Sequence, residues 1–428
     1  MERYTIYHCH TNRSLLDSCT GYKEYADRVS ELGYKALALT EHGNAYNWVE
    51  KKMYINSKGL KYIHGVECYL TASLEEKVRD NYHTILLAKN YEGVKEINLL
   101  IDKSTQPDHR YYKPRITFEE FFNISDNVIK ISACLASPLN KYPKDIQKQM
   151  AEKSAALKQE LADKVSELEK QKSDQKAMVK WLKQFDDSEE EELPWVINGC
   201  IPGDSYLHYI EAQIDKLKQY YDNLLEEVQL MNVTAKETFY KLLETYDYYE
   251  IQPHDFPEQK RYNEFLYAAS KQTGKPLIAG TDTHSIDYYK AECRSILQKA
   301  KRIEYADEDK FDLTLKTYEE LVEMFRIQNC DIPFDVILQA IENTNVMADS
   351  VTDFELDTSV KYPKLYDNEE EVLKKRIFDK LHEKIDAGII KKEKIPEYVK
   401  RIKEEMRVFK KINMIGFMLF MSELVCWC

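Results

Sequence analysis

The chain has 428 residues, of which 43% are hydrophobic and 32% are charged, and its formal net charge is −13. This length suffices for two or three domains, and no apolar run reaches the roughly 18 residues that cross a bilayer. The amino terminus carries no basic segment followed by an apolar core, so we expect a cytoplasmic protein. The acidic balance disfavours a nucleic-acid coat or a membrane-surface protein, but allows an enzyme that meets a phosphate polymer through a metal.

Nine cysteines are scattered along the chain without a C-x-x-C pair, which indicates neither a disulfide framework nor a structural zinc site. We expect most of them to be reduced, with one available as a metal ligand. The sequence also lacks the G-x-S-x-G, G-x-G-x-x-G and phosphate-loop patterns, which excludes those hydrolase and nucleotide-binding classes. Only ten histidines occur, so their positions carry much of the functional prediction.

Short β-rich runs alternate with helical stretches over the first 140 residues, as is typical of a parallel α/β architecture. The predicted strands are Tyr4–Tyr7, Ala36–Leu39, Tyr62–Leu70, Thr84–Leu87 and Asn127–Ser132, with Tyr248–Gln252 and Pro276–Ala279 later in the chain. The predicted helices among them are Tyr22–Leu32, Asn44–Ser57 and Pro257–Thr273. The late unit repeats the early pattern, which indicates one barrel interrupted by an insertion.

The insertion, residues 144–241, is predicted to be a helical hairpin. Apolar residues recur at spacings of three, four and seven from Ile146 to Leu168, as a long amphipathic helix requires. The acidic run Asp186–Glu192 and Pro194 end this helix, and a second helix is predicted for about Ser205–Met231. We interpret the hairpin as a solvated or partner-facing protrusion, because its many acids disfavour a role in guiding DNA.

The rest of the chain is predicted to be mostly helical and charged, and it becomes strongly apolar after Lys411. The predicted domains are a first barrel part at 1–143, the helical insertion at 144–241, a last barrel part at 242–289, a helical connector at 290–400 and a final segment at 401–428. The sequence stops without a polar tail, so we expect that a domain is cut off there.

Potential metal ligands lie at the ends of the predicted strands, except for one at the start of the fourth. In a (β/α) barrel the residues beyond the strand ends converge on one mouth, so we expect these side chains to share a site. The nine candidates are His8, His10, Asp17, His42, Glu67, His83, Cys134, Asp282 and His284. Each has an ordinary structural explanation when taken alone, and their joint position favours the metal site.

Imidazole, carboxylate and thiolate together suit two or three Zn²⁺, Mn²⁺ or Fe ions better than Mg²⁺ or Ca²⁺. Such clusters lower the pKa of a bridging water and clamp the attacking and leaving oxygens of a phosphoester displacement. The predicted chemistry is therefore hydrolysis of a phosphate ester. The residues predicted to hold the attacking water are His8, His10, Glu67 and Asp282.

The ordered set of ligands, with Thr40-Glu41-His42-Gly43 in its middle, resembles the polymerase-and-histidinol-phosphatase (PHP) domain. The segments YHCHTNRSLLDSCT, ALTEHGNAYN and LIAGTDTHS resemble the PHP domain that opens the alpha subunits of bacterial DNA polymerase III, a C-family replicative polymerase. This resemblance implies a distorted (β/α)7 barrel in which the nine candidates are the ligands. It also implies that Glu41, Glu250 and His254 support the ligands or meet the substrate.

The final segment, Arg401–Cys428, resembles the entry into the palm of the same polymerases, and the catalytic aspartates of nucleotide addition are absent from these 428 residues. A full ligand set is similar to that of 3′–5′ proofreading exonucleases, which implies a DNA 3′ end as substrate. The implied partners are the missing polymerase body and other replisome proteins.

Two alternatives stay open: a catalytically silent structural PHP module of a replicative polymerase, and a histidinol-phosphatase-like phosphatase of small molecules. Glu41 departs from the family, which has an aspartate in this motif, and the change could alter the support of His42.

Overall fold

The structure is a computed structural model that describes residues 3–75, 77–185, 204–303, 311–359 and 361–428. It comprises two compact units, Met1–Phe354 and Glu355–Cys428. The predicted acidic helix end, Asp186–Glu192 with Pro194, lies outside the described residues. Within the described ranges, no helix is both long and apolar enough to cross a membrane.

The first unit combines strands and helices, which confirms the mixed α/β class. Its strands are β1 (Ala36–Leu39), β2 (Lys61–Thr71), β3 (Tyr82–Ala88), β4 (Arg115–Thr117), β5 (Val128–Ile131), β6 (Tyr249–Ile251) and β7 (Leu277–Ala279). Its helices are α1 (Tyr22–Glu31), α2 (Trp48–Ser57), α3 (Tyr91–Ser104), α4 (Phe118–Phe122), α5 (Pro138–Phe185), α6 (Asp204–Thr245), α7 (Pro257–Thr273), α8 (Tyr288–Lys301), α9 (Tyr318–Gln328) and α10 (Phe334–Ser350).

The strands form one larger and one smaller sheet. In the larger sheet β1 and β4 pair in parallel with β2, whereas β3 pairs antiparallel with both β2 and β5. In the smaller sheet β6 and β7 are parallel. The expectation of a wholly parallel arrangement is therefore wrong at β3. The described residues of the connection, 72–75 and 77–81, contain no helix, and the connection is too short for a parallel crossover, so the chain returns directly.

Isolated bridges join segments that the ladders leave apart. They pair Ile6 with Leu37, Ile131 with Tyr248, and Cys9 with Thr283. The strand predicted at Tyr4–Tyr7 is thus reduced to a single bridge at Ile6. The ladders alone do not close a barrel, so the distorted (β/α)7 barrel stays a prediction.

Two hydrophobic cores lie on the two faces of the strands. Successive side chains of a strand point to opposite faces, and β2 accordingly places Ile63 in one core and Tyr62 and Val66 in the other. The core around Ile63 joins residues of β1, β3, β5 and β7 to the α10 helix. Glu67 shares the side of Ile63, whereas His64 belongs to the opposite side.

Helices α5 and α6 pack against each other as a helical hairpin. Lys164 contacts Tyr221 and Lys172 contacts Glu211, so the helices run antiparallel. The second helix extends to Thr245, beyond the predicted end at Met231. Buried apolar residues continue along it and pack into the larger core, namely Ala235, Leu242 and Leu243.

The second unit is helical, with α11 (Glu369–Asp386), a 3₁₀ helix (Lys392–Lys394), α12 (Ile395–Lys411) and α13 (Ile415–Trp427). Arg376 on α11 forms an ion pair with Glu423 on α13. The apolar segment after Lys411 thus forms mainly a helix, and its assignment to a polymerase palm stays a prediction, as do the five predicted domain ranges.

Candidate metal centre

The predicted ligands meet at one rim of the larger sheet. His42 follows β1 and bridges Glu67 in β2. His83, at the start of β3, lies opposite Tyr69 near the end of β2. Because β3 is antiparallel, its first residues lie beside the last residues of its neighbour. This reversal explains how a strand start contributes to a site built from strand ends.

Three overlapping groups of donor atoms form the centre, and the atoms of each group lie within 4.8 Å of one another. The groups are His10, His42 and His284; His8, His10, Glu67 and Asp282; and Glu67, His83 and Cys134. The groups share His10 and Glu67, so they form one cluster. Asp17, the remaining predicted ligand, adjoins it with Oδ2 2.8 Å from His42 Nε2 and 3.1 Å from His284 Nε2.

Two donor atoms in the cluster are buried and lack a hydrogen-bond partner among the described residues. They are His10 Nε2 and Asp282 Oδ1, which lie 3.3 Å apart. A separation of about 3.3 Å is what tetrahedral ligation with bonds of about 2.0 Å requires. Leaving a buried polar atom unpaired costs roughly 1–3 kcal/mol. A divalent ion therefore fits this pair of atoms.

Hydrogen bonds fix the tautomers of His8 and His284. His8 Nδ1 donates to Glu250 Oε1 at 2.7 Å, and Gln252 donates to the same oxygen. His284 Nδ1 donates to the main-chain carbonyl of Asp282 at 2.8 Å. A carboxylate and a carbonyl only accept, so both Nδ1 atoms carry the proton. In the neutral ring, each Nε2 then carries the lone pair that can bind a metal.

A buried ion pair determines the orientation of His10. Lys51 Nζ donates to Glu41 Oε1 at 2.6 Å, and Ser14 Oγ donates to Glu41 Oε2 at 2.7 Å. Having donated its hydrogen, Ser14 Oγ accepts from His10 Nδ1 at 3.1 Å. Burial alone would raise the pKa of Glu41, but Lys51 and the neighbouring hydroxyls lower it to about 2. Glu41 thus supports His10 through the Ser14 hydroxyl, whereas His42 donates only its main-chain N–H to Ser14.

At two of the donors, Glu67 and His10, the electrostatics favour the protonation states that bind metal. Burial alone would raise the pKa of Glu67, but His83 and His42 hold it well below its usual range. Burial, together with His42 and His284, lowers the pKa of His10. Glu67 is consequently ionised and His10 neutral near pH 7, which are the forms that ligate divalent ions.

The backbone is strained at the donor Asp282 and at the residue directly before the donor Cys134. Ala133, directly before Cys134, has a φ of 60°, and Asp282 has a φ of 46°. Side-chain-bearing residues in the left-handed region are uncommon and occur often at functional sites. The Sγ of Cys134 lies 3.7 Å from His83 Nδ1, while burial raises the pKa of its thiol. The thiol therefore needs a cation to ionise it.

Three supporting residues were not predicted from the sequence: Ser14, Lys51 and Arg294. Arg294 on α8 donates to the main-chain carbonyl of Asp17 at 2.7 Å and forms an ion pair with its carboxylate. The predicted supporting residue His254 is buried beside the site, stacks on Phe311 with ring centroids 4.6 Å apart, and has no hydrogen-bond partner in the described chain for either ring nitrogen. No spacing pattern connects these supporting side chains to the ligands.

A cavity of about 210 Å³ opens onto the cluster. Its lining includes donors His42, Glu67, His83, Cys134, Asp282 and His284. Phe256, Phe311 and Lys141 line other parts of it. The donors are therefore reachable by a small charged group from outside the protein.

The model of the PHP domain family matches residues 7–173. Three residues of the site, Glu250, Asp282 and His284, lie beyond this range, and the fold returns them to the ligands of the matched part. The family match thus covers the first part of a site that the later residues complete.

Relatives with curated descriptions extend the similarity along the chain. The DNA polymerase III subunit alpha of Aquifex aeolicus is 24% identical over 98% of this chain and 31% of that protein. The corresponding subunit of Chlamydia pneumoniae is 25% identical over 84% of this chain and 25% of that protein. In the Treponema pallidum subunit, identity is 34% over 31% of this chain and 12% of that protein. The chain spans less than a third of the length of these relatives.

The solved structure of a presumed metal-dependent phosphoesterase from Bifidobacterium adolescentis aligns with 78% of this chain and 98% of that chain. Its sequence identity is 12% and its TM-score is 0.28, which is too low to assign the fold. The sequence matches show a PHP domain at residues 7–173 and a similarity, along nearly the whole chain, to part of the DNA polymerase III alpha subunits.

Proposed function

We propose that the nine clustered residues bind two or three divalent ions, chosen from Zn²⁺, Mn²⁺ and Fe, and that the chain hydrolyses phosphodiesters at a DNA 3′ end. The observation that carries this proposal is the convergence of imidazole, carboxylate and thiol donors around buried atoms without hydrogen-bond partners. Donors of this mixed chemistry suit these metals better than Mg²⁺.

When bound, such ions supply an activated water and neutralise the charge that develops on a phosphoester. The chain's own residues give that chemistry its geometry. Glu250 and Ser14 orient the rings of His8 and His10 so that each Nε2 points inward. Glu67, which is almost wholly buried, lies among four of the histidines, 2.8–3.6 Å from their ring nitrogens.

The similarity to DNA polymerase III alpha subunits supports DNA as the substrate and replication proteins as partners. A proofreading 3′–5′ exonuclease is the specific activity that we propose. A polymerase body would be the main partner, and residues 401–428 would begin its palm.

The proposal includes a distorted (β/α)7 barrel. The three isolated bridges support it, because they connect the amino-terminal segment to β1, β5 to the start of β6, and the end of β7 back to the amino-terminal segment. The shared core on one face of the strands is also what the interior of such a barrel would contain.

The test uses the purified chain, Mn²⁺ or Zn²⁺, and a 5′-labelled primer with a mismatched 3′ end. We expect stepwise release of single nucleotides. Asp282→Asn should lower the rate by more than about 100-fold, because it removes a carboxylate ligand of the ions that stabilise the developing charge. The matched control is Asp349→Asn, an exposed aspartate on α10, which should retain full activity. Bound metal without nucleotide release in the wild type would contradict the exonuclease proposal.

A further inference from the structure

A second cavity, of about 490 Å³, lies at the base of the α5–α6 hairpin, where these helices meet α7. Its apolar lining includes Pro143 on α5, Phe239 on α6 and Phe265 on α7. Phe239 and Phe265 have ring centroids 6.1 Å apart, and the side chain of Phe265 is exposed. We call this cavity the hairpin groove. The groove exposes aromatic surface at the junction of three helices, where aromatic side chains are usually buried.

The hairpin groove adjoins the cavity of the metal centre. Asn140 and Glu258 line both cavities. Lys141, the next residue along α5, lines the cavity of the metal centre. A flexible ligand that occupies the hairpin groove can therefore continue into the donor cluster.

The charge of the hairpin groove is opposite to that of the whole chain. Three basic residues line it, Lys144, Lys236 and Arg261, and Glu258 is the acid among its lining residues. Lys144 Nζ neutralises this acid with an ion pair at 2.8 Å. The groove is therefore locally positive in a chain of net charge −13. The expectation that the acids of the insertion disfavour a role in guiding DNA stays a prediction, and the lining of this groove at the base of the hairpin is basic.

We propose that the hairpin groove binds the single-stranded DNA segment next to the 3′ end that enters the metal centre. Aromatic rings that stack on bases, combined with cations that contact phosphates, are the recurrent chemistry of single-strand binding. The volume of about 490 Å³ is that of a small-ligand site, which is too small for a duplex. This inference rests on the proposed function for the fate of the strand end, but the binding itself requires no catalysis.

The test measures binding of a 5′-fluorescein-labelled oligothymidylate by fluorescence anisotropy in EDTA, where hydrolysis cannot occur. We expect the double variant Lys236→Glu/Arg261→Glu to bind at least about tenfold more weakly, with a salt dependence reduced by about two phosphate contacts. Phe265→Ala should weaken binding by about fivefold or more, because one stacking partner is lost. Thermal melting verifies that each variant is folded.

The matched control is Lys216→Glu/Lys218→Glu. It makes the same change in charge at two exposed lysines that lie nearer the start of α6, away from the groove. It should bind the oligonucleotide like the wild type. Equal affinity of the groove variants and the wild type would overturn the proposal. Absence of oligonucleotide binding by the wild type would also overturn it, and would leave the groove to a protein partner.

A second assay separates this proposal from the proposed function. Bis(p-nitrophenyl) phosphate is too small to need the hairpin groove, so metal-dependent hydrolysis of this compound reports on the centre alone. We expect the groove variants to hydrolyse it at the wild-type rate. If the wild type binds the oligonucleotide but hydrolyses neither substrate with metal, the proposed function is contradicted, and the proposal that the hairpin groove binds single-stranded DNA is still supported.

Discussion

Two buried histidines, His64 and His8, show what distinguishes a ligand from a core residue. His64 in β2 accepts a hydrogen bond from Tyr62 and donates one to Asn98, at 2.9 and 3.2 Å. Burial lowers its pKa to about 4, so the ring is neutral. Burial alone would also lower the pKa of His8, but Asp282 and Glu250 reverse the effect and raise it.

The difference teaches that burial does not identify a functional histidine. Both rings are almost inaccessible to solvent. Neutral partners satisfy both nitrogens of His64, whereas His8 contacts three carboxylates, those of Glu67, Glu250 and Asp282. Buried carboxylates in excess around an imidazole destabilise the folded protein unless cations compensate their charge.

Metal addition should produce the largest effect. An ion present at a thousandfold excess over its Kd raises the free energy of unfolding by about 4 kcal/mol, and two such ions by about 8 kcal/mol. Calorimetric melting with Mn²⁺ or Zn²⁺, compared with melting in EDTA, measures this. His64→Gln should keep the metal-dependent shift and Asp282→Asn should lose much of it. Identical melting temperatures of the wild type with and without metal would contradict the interpretation of His8 as a metal ligand and His64 as a core residue.

Removal of the lysine behind the cluster should have the next largest effect. Lys51→Met leaves Glu41 buried without its ion-pair partner, which typically costs about 3–5 kcal/mol. Urea denaturation in EDTA measures this loss separately from metal binding. The double variant Lys51→Met/Glu41→Gln removes both charges and should recover much of the stability.

The control for that change is Lys58→Met, since Lys58 pairs with Asp27 on the exposed surface and should contribute little. A loss as small as that of the control would show that the buried pair is not needed to hold the cluster together.

The pH dependence of His64 should be the smallest effect. The unfolded imidazole binds a proton near pH 6.5, whereas the folded ring resists protonation until about pH 4. The contribution of neutral His64 is therefore fully present above pH 6.5 and is lost as the pH falls toward 4. By pH 5 the loss amounts to about 2 kcal/mol.

His64→Gln should abolish this part of the pH dependence, as measured by urea denaturation at pH 7 and pH 5 in EDTA. The same decrease in stability in the variant and the wild type would mean that His64 already binds a proton in the folded protein.

The sequence predicted the residues that meet in the cluster better than it predicted the path of the chain between them. The nine candidate ligands lie together because strand ends and chemistry are both visible in the pattern of residues. The direction of β3 was not visible, since hydrophobic alternation is the same in either direction. Only the shortness of the connection at 72–81 indicates it.

The supporting residues could not be predicted for a different physical reason. Lys51 and Arg294 lie on helices, where a basic residue usually faces solvent. Their burial depends on tertiary packing against Glu41 and Asp17, which no local pattern records. The aromatic and basic lining of the hairpin groove likewise comes from three helices, so only the folded chain brings it together.

The antiparallel hairpin also bears on the order in which the protein folds. β5 pairs with the start of β6 through Ile131 and Tyr248, and closing so long a loop between them would be slow for an unstructured chain. When α5 and α6 pair, the start of α5 and the end of α6 come together at the base of the hairpin, which brings these two strands together and shortens the effective loop. We expect pulsed hydrogen exchange during refolding to show protection of α5 and α6 before β6 and β7. The donors Asp282 and His284 would then be the last to join the cluster.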